Sequence, residues 1–330
     1  SRSFQLNRGD LVFLQASIRK DNKNPGRRII TGKSWDARIS CFTGCQSVLG
    51  LIRFSSFPNI FAEPANADSS RRLIFMLLAI DVGNSNNVIG LFAGEKLLTH
   101  WRIRTEWART SDEYWVLIKE FIQLNGVDTE TIDEIIVACV VPPLIPILKE
   151  MGRKYFSCEP LIVGPGVKTG ISILYNNPAE VGADRIVNSV AAYEKYGGPL
   201  IIVDFGTATT FDAVSKKGEY LGGAIFPGVQ LSLEALFKNA AKLPRVEMAE
   251  PERVIGKSTV ESIHSGTIHG FVSMIDGMVS KMQVELDQKA RVIATGGIVQ
   301  LIASRAKSID TIDLFLTLDG LRIIHQRNQK

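Results

Sequence analysis

Apolar and polar positions repeat with two different periods along most of the chain, which is typical of a mixed α/β protein. Three apolar stretches follow one another with Gly-containing turns between them, and they predict strands at Leu77–Asp81, Asn87–Phe92 and Lys96–Arg104. The apolar residues then recur at helical spacing over Ser111–Leu124, with Ser111 as the predicted N-cap.

Two more strands and two more helices complete this first group of elements. The predicted strands are Glu134–Cys139 and Leu161–Val163, and the predicted helices are Leu144–Tyr155 and Ala179–Lys195. In chain order the whole group reads βββαβαβα.

A second group of predicted elements then repeats this order. Its members are the strands Leu200–Asp204, Ala208–Val214 and Glu219–Phe226, the helix Val260–Leu286, the strand Arg291–Ala294, the helix Val299–Ala306, the strand Ile312–Leu316 and the helix Leu318–Arg327. The repetition predicts a duplicated α/β fold with an N-terminal half at 76–197 and a C-terminal half at 198–330. We expect a ligand site in the cleft between the halves, because clefts between domains are favoured binding sites.

Residues 1–75 differ from the rest in composition and show no sustained strand or helix period. They hold 12 Lys and Arg against 5 Asp and Glu, whereas residues 76–330 hold 26 against 29. We expect them to be a poorly ordered N-terminal extension, either a leader upstream of a natural start at Met76 or an expression artefact. A targeting peptide is the alternative, since the segment carries Arg and Ser and few acidic residues.

Charge and cysteine content narrow the class of protein further. The body of the chain is slightly acidic, which argues against a nucleic-acid-binding surface. No apolar run reaches the roughly 18 residues that a membrane span requires. Four cysteines in 330 residues are too few for a disulfide framework, so we expect a reducing, cytoplasmic location.

Two segments, one in each half, share a pattern that suits phosphate binding. Ile80–Ser85 and Val203–Thr209 each form an apolar strand that ends in Asp-x-Gly, followed by small polar residues. The glycine allows a tight turn whose N–H groups can approach a phosphate, and the aspartate can face a metal ion. One such turn alone would be an ordinary hairpin with a solvated Asp, but the pattern recurs 123 residues later at the matching position. The chain has no GxxxxGK(S/T) loop, so a nucleotide would be held by the paired hairpins.

The paired hairpins resemble the phosphate-binding motifs of the superfamily that contains acetate and sugar kinases, heat-shock chaperones and actin. Four further segments resemble type III pantothenate kinases in particular, and they occur in the family's order: Gly182-Ala183-Asp184-Arg185, Asp204–Thr210, Gly222–Gly228 and Thr295-Gly296-Gly297. The similarity runs from Met76 to near Asn328. It implies a ribonuclease H-like, actin-like ATPase fold in two βββαβαβα halves around a central cleft. It also implies ATP-dependent phosphorylation of pantothenate to 4′-phosphopantothenate, the first step of coenzyme A biosynthesis.

The resemblance also implies roles for single residues. Asp184 matches the general base, Asp81 the ligand of the Mg²⁺ that accompanies ATP, and Asp204 the ligand of a monovalent cation, K⁺ or NH₄⁺. The ATP-binding residues would be Asp81, Val82, Gly83, Asn84, Ser85, Asn86, Asn87, Val88, Thr207, Thr295, Gly296 and Gly297. The pantothenate-binding residues would be Tyr175, Gly182, Ala183, Asp184, Arg185 and Thr259. Thr259 would reach its site across the interface of a homodimer.

Each of these assignments has a purely structural alternative. Asp184 and Arg185 could form an ion pair at the start of a helix, and Tyr175 could be a half-buried loop aromatic. Ser258 or Thr259 could be the N-cap of the long helix that follows. At the level of the whole protein, the alternatives are another small-molecule kinase of the superfamily or a nucleotide-binding regulator without catalysis. The presence of both Asp184 and Arg185 argues against the regulator.

Overall fold

The computed structural model describes residues 36–43, 46–53 and 75–329. The chain divides into two units, Ser1–Arg72 and Leu73–Lys330. In the first unit, strands β1 (Asp36–Thr43) and β2 (Gln46–Arg53) pair antiparallel. The sequence shows no sustained strand period over residues 1–75 as a whole, but the alternation Asp-Ala-Arg-Ile-Ser-Cys in β1 could have indicated this strand. The remaining expectations for residues 1–75 lie outside the described residues.

The second unit contains eleven strands and seven helices among its described residues. The strands are β3 (Met76–Val82), β4 (Asn86–Ala93), β5 (Lys96–Arg104), β6 (Glu134–Cys139), β7 (Leu161–Ile162), β8 (Ser172–Ile173), β9 (Leu200–Phe205), β10 (Ala208–Val214), β11 (Glu219–Pro227), β12 (Arg291–Gly296) and β13 (Thr311–Ile312). The helices are α1 (Ser111–Leu124), α2 (Leu144–Tyr155), α3 (Ala183–Tyr196), α4 (Val229–Asn239), α5 (Thr259–Glu285), α6 (Val299–Ala303) and α7 (Leu316–Asn328). Short 3₁₀ helices lie at Thr129–Thr131 and Pro178–Glu180.

Two mixed sheets share one topology. The first has the strand order β5-β4-β3-β6-β7, and the second has the order β13-β12-β9-β10-β11-β8. Apart from β8, each sheet has three antiparallel strands followed by two parallel ones, added in the same sequence on the same side. The predicted fold class, a duplicated ribonuclease H-like fold, is confirmed by this repetition.

Helices cover both faces of both sheets. Helices α3 and α7 lie between the sheets, in one core cluster with residues of β3 and β6 on one side and of β9 and β12 on the other. Helices α1 and α2 pack on the outer face of the first sheet, and α4, α5 and α6 pack on the outer face of the second. Two elements contact the sheet of the opposite half. Strand β8 pairs with β11 of the second sheet, and helix α7 packs against β3 of the first.

The structure corrects four details of the predicted elements, in addition to the unpredicted strand β8 and the end of α6 at Ala303 instead of Ala306. Helix α4 was not predicted, although it begins directly after Pro227-Gly228. The predicted strand Ile312–Leu316 is only the two residues of β13, because Leu316 is buried as the first residue of α7. The helix predicted from Ala179 begins at Ala183, after a 3₁₀ turn.

The fourth correction concerns the start of α1. Its N-cap is Thr110 and not Ser111. The Thr110 side chain accepts from the Glu113 amide, and the Glu113 carboxylate accepts from the Thr110 amide, so the two residues form a capping box. Among the described residues, no helix combines the length and the apolar character that a membrane crossing needs.

Candidate active site

The turns of the two Asp-x-Gly hairpins touch each other. Ser85 Oγ, between β3 and β4, lies 2.8 Å from Thr207 Oγ1, between β9 and β10. Each turn is closed by a backbone hydrogen bond from its glycine, Gly83 N to Asn86 O at 3.1 Å and Gly206 N to Ala208 O at 3.0 Å. The two turns therefore face one another at the boundary between the sheets.

A buried network supports the first hairpin from behind. Asn87 is fully buried, and its side-chain amide donates to the Tyr114 hydroxyl at 2.8 Å. The Thr105 hydroxyl lies 2.8 Å from Asn87 Oδ1 and 2.7 Å from the Gly83 carbonyl oxygen. Because this amide is occupied by protein partners, the ATP-binding role assigned to Asn87 would rest on its backbone. Asn84, Ser85 and Asn86 are exposed at the tip of the turn.

Three carboxylates lie close together beside these turns. Asp81 is the penultimate residue of β3, Asp204 occupies the corresponding place in β9, and Asp184 lies in the first turn of α3. Burial raises the pKa of Asp81 well above its usual range, and the nearby charges of Asp184 and Asp204 raise it further, while Arg102 opposes them. The charges of the three residues therefore act on one another, and their lining of one shared crevice stays a prediction.

Asp184 is held by the backbone at the start of its helix. The Arg185 amide donates to Asp184 Oδ1 at 2.9 Å. A Cβ on Gly182 would lie 2.5 Å from the same oxygen, so the glycine leaves room for the carboxylate. Burial raises the pKa of Asp184, although the Arg185 amide and guanidinium lower it.

The guanidinium of Arg185 pairs with a carboxylate that the sequence analysis did not single out. Arg185 Nε donates to Asp212 Oδ1 at 2.7 Å, and both residues are buried. The Tyr220 hydroxyl donates to the same oxygen at 2.9 Å. The alternative of a helix-start ion pair between Asp184 and Arg185 is thus not supported. Burial raises the pKa of Asp212 to about 6, against the lowering effect of Arg185 and Tyr220.

Asp204 has its own buried support. The Asn188 side-chain amide donates to Asp204 Oδ2 at 2.9 Å, and Thr317 of α7 donates to Asn188 Oδ1 at 2.7 Å. Burial raises the pKa of Asp204 from its ordinary 3.8 to about 7, and the charge of Asp184 contributes to the rise. Its other oxygen lies against Gly296, where an added Cβ would approach to 2.6 Å.

Of the remaining predicted site residues, Tyr175 lies beside β11, and Thr295 and Gly296 lie at the end of β12. Tyr175 packs near Gly222, and its ring centroid lies 6.3 Å from that of Tyr220. The Tyr220 ring in turn lies beneath the Arg185 guanidinium. Thr295 is buried at the end of β12, and Gly296 follows it with a φ of +106°, a conformation that favours glycine.

Thr259 lies elsewhere, on the face formed by α4 and α5. It is exposed and lines a pocket of about 400 Å³ together with Leu236, Ser262 and Phe271. The N-cap of α5 is Ser258, whose hydroxyl accepts from the Glu261 amide at 3.2 Å. The capping role therefore belongs to Ser258, and the Thr259 side chain is left for another contact.

The donor set suits the cations that a kinase requires. Within the described residues, no three His, Cys, Asp or Glu side chains converge on one metal position. Mg²⁺ in kinases is usually held by one or two carboxylates together with substrate phosphates, and Asp81 provides such a carboxylate beside the first hairpin.

The duplicated fold and the two facing Asp-x-Gly turns define a member of the actin-like ATPase superfamily. A family model described as type III pantothenate kinase matches residues 77–281. The chain is 56% identical to a type III pantothenate kinase of Myxococcus xanthus strain DK1622 over 253 residues, which are 77% of this chain and 99% of that protein. It is 53% identical to the Moorella thermoacetica protein of the same description over 253 residues, 77% of this chain and all of the relative. The chain therefore belongs to the type III pantothenate kinase family.

A comparison with solved structures also finds a similar chain. It is an inorganic polyphosphate/ATP-glucomannokinase from Arthrobacter sp. strain KM, with 11% identity and a TM-score of 0.41 over 77% of this chain and 100% of that one.

Proposed function

We propose that this protein transfers the γ-phosphoryl group of ATP to the primary hydroxyl of pantothenate, giving 4′-phosphopantothenate and ADP. This would be the first committed phosphorylation on the way to coenzyme A. Family membership supports the reaction, and the observation that carries the mechanism is the half-buried Asp184 carboxylate beside two hairpins that meet through Ser85 and Thr207. ATP and a divalent metal ion are the cofactors that this reaction requires.

Asp184 is the proposed general base. The Arg185 amide occupies Oδ1, so Oδ2 is the oxygen that would take the proton of the substrate hydroxyl. The alcohol oxygen then attacks the γ-phosphorus, the bond to the β–γ bridging oxygen breaks, and ADP leaves. A raised pKa makes a carboxylate a better proton acceptor for an alcohol, so the burial of Asp184 favours this role.

Two cations are proposed beside the other carboxylates. Asp81 would hold Mg²⁺, which supplies positive charge against the phosphates when it is bound. Asp204 would hold a monovalent cation, K⁺ or NH₄⁺. The support for both is electrostatic, since burial and mutual repulsion make these carboxylates poor sites for an uncompensated negative charge.

Pantothenate would bind between α3 and β11. Arg185 carries a buried Nη2 that has no hydrogen-bond partner within the described residues, and a carboxylate of the substrate would satisfy it. Tyr175, with 37% of its surface exposed, would form the outer wall of this site. Gly182 and Ala183 would allow the substrate to approach the start of α3.

A homodimer is proposed because Thr259 lies apart from the carboxylates of its own chain. Apolar side chains are exposed on the same helices, namely Leu231 and Leu236 of α4 and Val260 of α5. Burial of this surface against a second copy would bring Thr259 towards a neighbouring pantothenate site.

The decisive test of the function is the variant Asp184→Asn assayed for ADP release with pantothenate. We expect kcat to fall by about 10²–10⁴-fold, the range typical of a lost general base. ATP affinity and thermal stability should change little, because the amide keeps the shape of the carboxylate. Near-normal turnover in this variant would remove Asp184 from the mechanism. Faster phosphorylation of a hexose or of acetate than of pantothenate by the unmodified protein would redirect the substrate assignment to another kinase of the superfamily.

A further inference from the structure

Neither phosphate hairpin contains a basic residue. The first turn reads Asp-Val-Gly-Asn-Ser-Asn-Asn-Val over Asp81–Val88, and the second reads Asp-Phe-Gly-Thr-Ala-Thr-Thr over Asp204–Thr210. Both segments carry an aspartate, and Asp184 adds a third negative charge to the same crevice. A nucleotide polyphosphate is itself an anion of high charge. A cation from elsewhere in the chain would therefore assist its binding beyond what Mg²⁺ supplies.

Arg102 lies on the correct face of the first sheet to provide that cation. In the strand register Asp81 is opposite Val88, and Val88 is opposite Arg102. Residues directly opposite one another on neighbouring strands point to the same face of a sheet. The Arg102 and Asp81 side chains therefore share a face, two strands or about 10 Å apart. In agreement with this placement, Arg102 is the only positive charge among those that act on the Asp81 carboxylate.

The Arg102 side chain also reaches the opposite half of the protein. A Cβ placed on Gly297 would lie 2.6 Å from Arg102 Nη1. Gly297 directly follows β12 of the second sheet, in the segment Thr295-Gly296-Gly297 that the family resemblance assigns to ATP binding. The guanidinium thus spans the cleft from the strand behind the first hairpin to the loop beside the second half.

No carboxylate lies within ion-pairing distance of this guanidinium in residues 75–329. Arg102 takes part in none of the ion pairs found there. Arg185, the other arginine of the site, is bound to Asp212. Arg102 is more than a third exposed, so its donors are accessible to a ligand in the cleft. A planar guanidinium with several donors suits phosphate oxygens better than a single ammonium does.

We propose that Arg102 binds the polyphosphate of ATP and so supplies the basic residue that both hairpins lack. The proposal rests on the proposed function, because it assumes that the cleft takes ATP. Arg102 acts here as a ligand-binding residue for the nucleotide and takes no part in proton transfer.

The test measures nucleotide affinity without pantothenate, so that binding is separated from catalysis. Calorimetric titrations with ATP and with adenosine, each with Mg²⁺, would compare the unmodified protein with Arg102→Ala and Arg102→Lys. We expect Arg102→Ala to weaken ATP binding about tenfold, the lower end of the range for a charge-assisted hydrogen bond, because the site is partly exposed. Adenosine binding should stay unchanged, and Arg102→Lys should lose less than Arg102→Ala.

Lys96→Ala is the matched control, since Lys96 is an exposed cation at the far end of the same strand. It should bind ATP like the unmodified protein. Unchanged ATP affinity in Arg102→Ala would overturn the proposal, and so would an equal loss for adenosine and ATP, which would indicate a strut against Gly297 or a contact with the base. Failure of the unmodified protein to bind ATP would overturn both this proposal and the proposed function. ATP binding without phosphorylation of pantothenate would overturn the proposed function alone.

Discussion

A buried charge in the cleft is held by a specific partner of opposite charge. Arg185 and Asp212 form a pair that is almost fully removed from solvent, and the Tyr220 and Thr210 hydroxyls also donate to the carboxylate. Asp212 is hydrogen-bonded to the Arg185 guanidinium and orients it. Breaking such a pair leaves one charge buried without compensation, which is far more costly than losing a surface ion pair.

The variant Asp212→Asn should therefore unfold more easily and bind pantothenate more weakly. We expect a loss of about 3–5 kcal/mol in the free energy of unfolding, because the buried Arg185 guanidinium loses the counter-charge to which it is hydrogen-bonded. Urea denaturation measures the loss, and KM for pantothenate measures the misplacement of Arg185. The paired replacement Arg185→Met with Asp212→Leu removes both charges and should recover part of the stability. A variant Asp212→Asn as stable as the parent protein would contradict this account of the pair.

Asp204 gives a prediction about pH. Its pKa is about 7 in the folded protein against an ordinary 3.8, so the cation-free folded state keeps a proton that the unfolded chain has released. This contribution to stability is complete below about pH 4 and is lost as the pH rises through about 7. We expect the Tm of the cation-free protein to fall between about pH 5 and 8.

Potassium should restore the Tm more strongly at the upper end of that range, because a bound cation replaces the proton. The control is Asp204→Asn, which cannot ionise and should show both a smaller decline and a smaller response to K⁺. Thermal scans at several pH values, with K⁺ or with a bulky organic cation, make the comparison. An equal K⁺ response in Asp204→Asn would remove Asp204 from the cation site.

The sequence reveals only part of this residue-level arrangement. Asp81, Asp184 and Asp204 stand out because each lies in a short motif whose neighbours are close in the chain. Asp212 was missed because its partner Arg185 is 27 residues away and the pair exists only after β10 has folded against α3. Arg102 was missed for the same reason, since it reaches the site through strand register. The roles assigned through the family resemblance remain predictions.

At the scale of elements, the first phosphate hairpin depends on a helix and a strand that contribute nothing to its tip. Tyr114 of α1 and Thr105, directly after β5, hold the buried Asn87 amide from both of its ends. The hairpin is therefore fixed to the scaffold before any nucleotide arrives, and a preformed site loses less entropy on binding.

Removal of one hydroxyl tests this support. The variant Tyr114→Phe leaves the Asn87 donor buried without an acceptor, and we expect a loss of about 1–3 kcal/mol in stability. The KM for ATP should rise as well, because the hairpin is less firmly held, while the KM for pantothenate should change little. Tyr155→Phe is a suitable control, since its hydroxyl contacts the exposed Asp112 on the surface. Equal effects of the two variants would show that Asn87 does not need its buried acceptor.

The sequence predicts an element correctly where its hydrophobic pattern fits one kind of secondary structure. The prediction is wrong where the pattern fits both a strand and a helix. The buried strands β3, β6 and β9 are continuous apolar runs between clear turns, and they were placed within one residue. The boundary between β13 and α7 was predicted wrongly, because the apolar residues at 312–316 suit either a strand or the first turn of a helix. Tertiary packing decides between them, since Leu316 enters the core between the two sheets.

At the scale of the whole molecule, the α4–α5 face carries the prediction of a dimer. Leu236 and Val260 are each 41% exposed, and Leu236 lines the same pocket as Thr259. A stable interface buries about 800 Å² on each partner, and the exposed apolar side chains of α4 and α5 provide a core for such a contact.

A charge placed in this face should separate the copies. We expect Val260→Asp to convert a dimer to a monomer in analytical ultracentrifugation, with a raised KM for pantothenate and little change in the folding of each chain. Leu124→Asp is the matched control, because Leu124 is an exposed apolar residue at 79% exposure on helix α1 of the other half. A fully active monomer of the unmodified protein would contradict the dimer and the role proposed for Thr259.

The position of α7 between the two sheets has a consequence for biogenesis. This helix is the last one in the described chain, yet its apolar residues complete the inner face of the sheet that is synthesised first. While a ribosome is still making the second half, the inner face of β3 and β6 has no permanent cover from α7. The apolar inner face of β3 and β6 would therefore stay exposed until α7 has been synthesised and packed. A chain that ends before residue 316 would lack α7 and would leave this apolar surface without the cover that the helix provides.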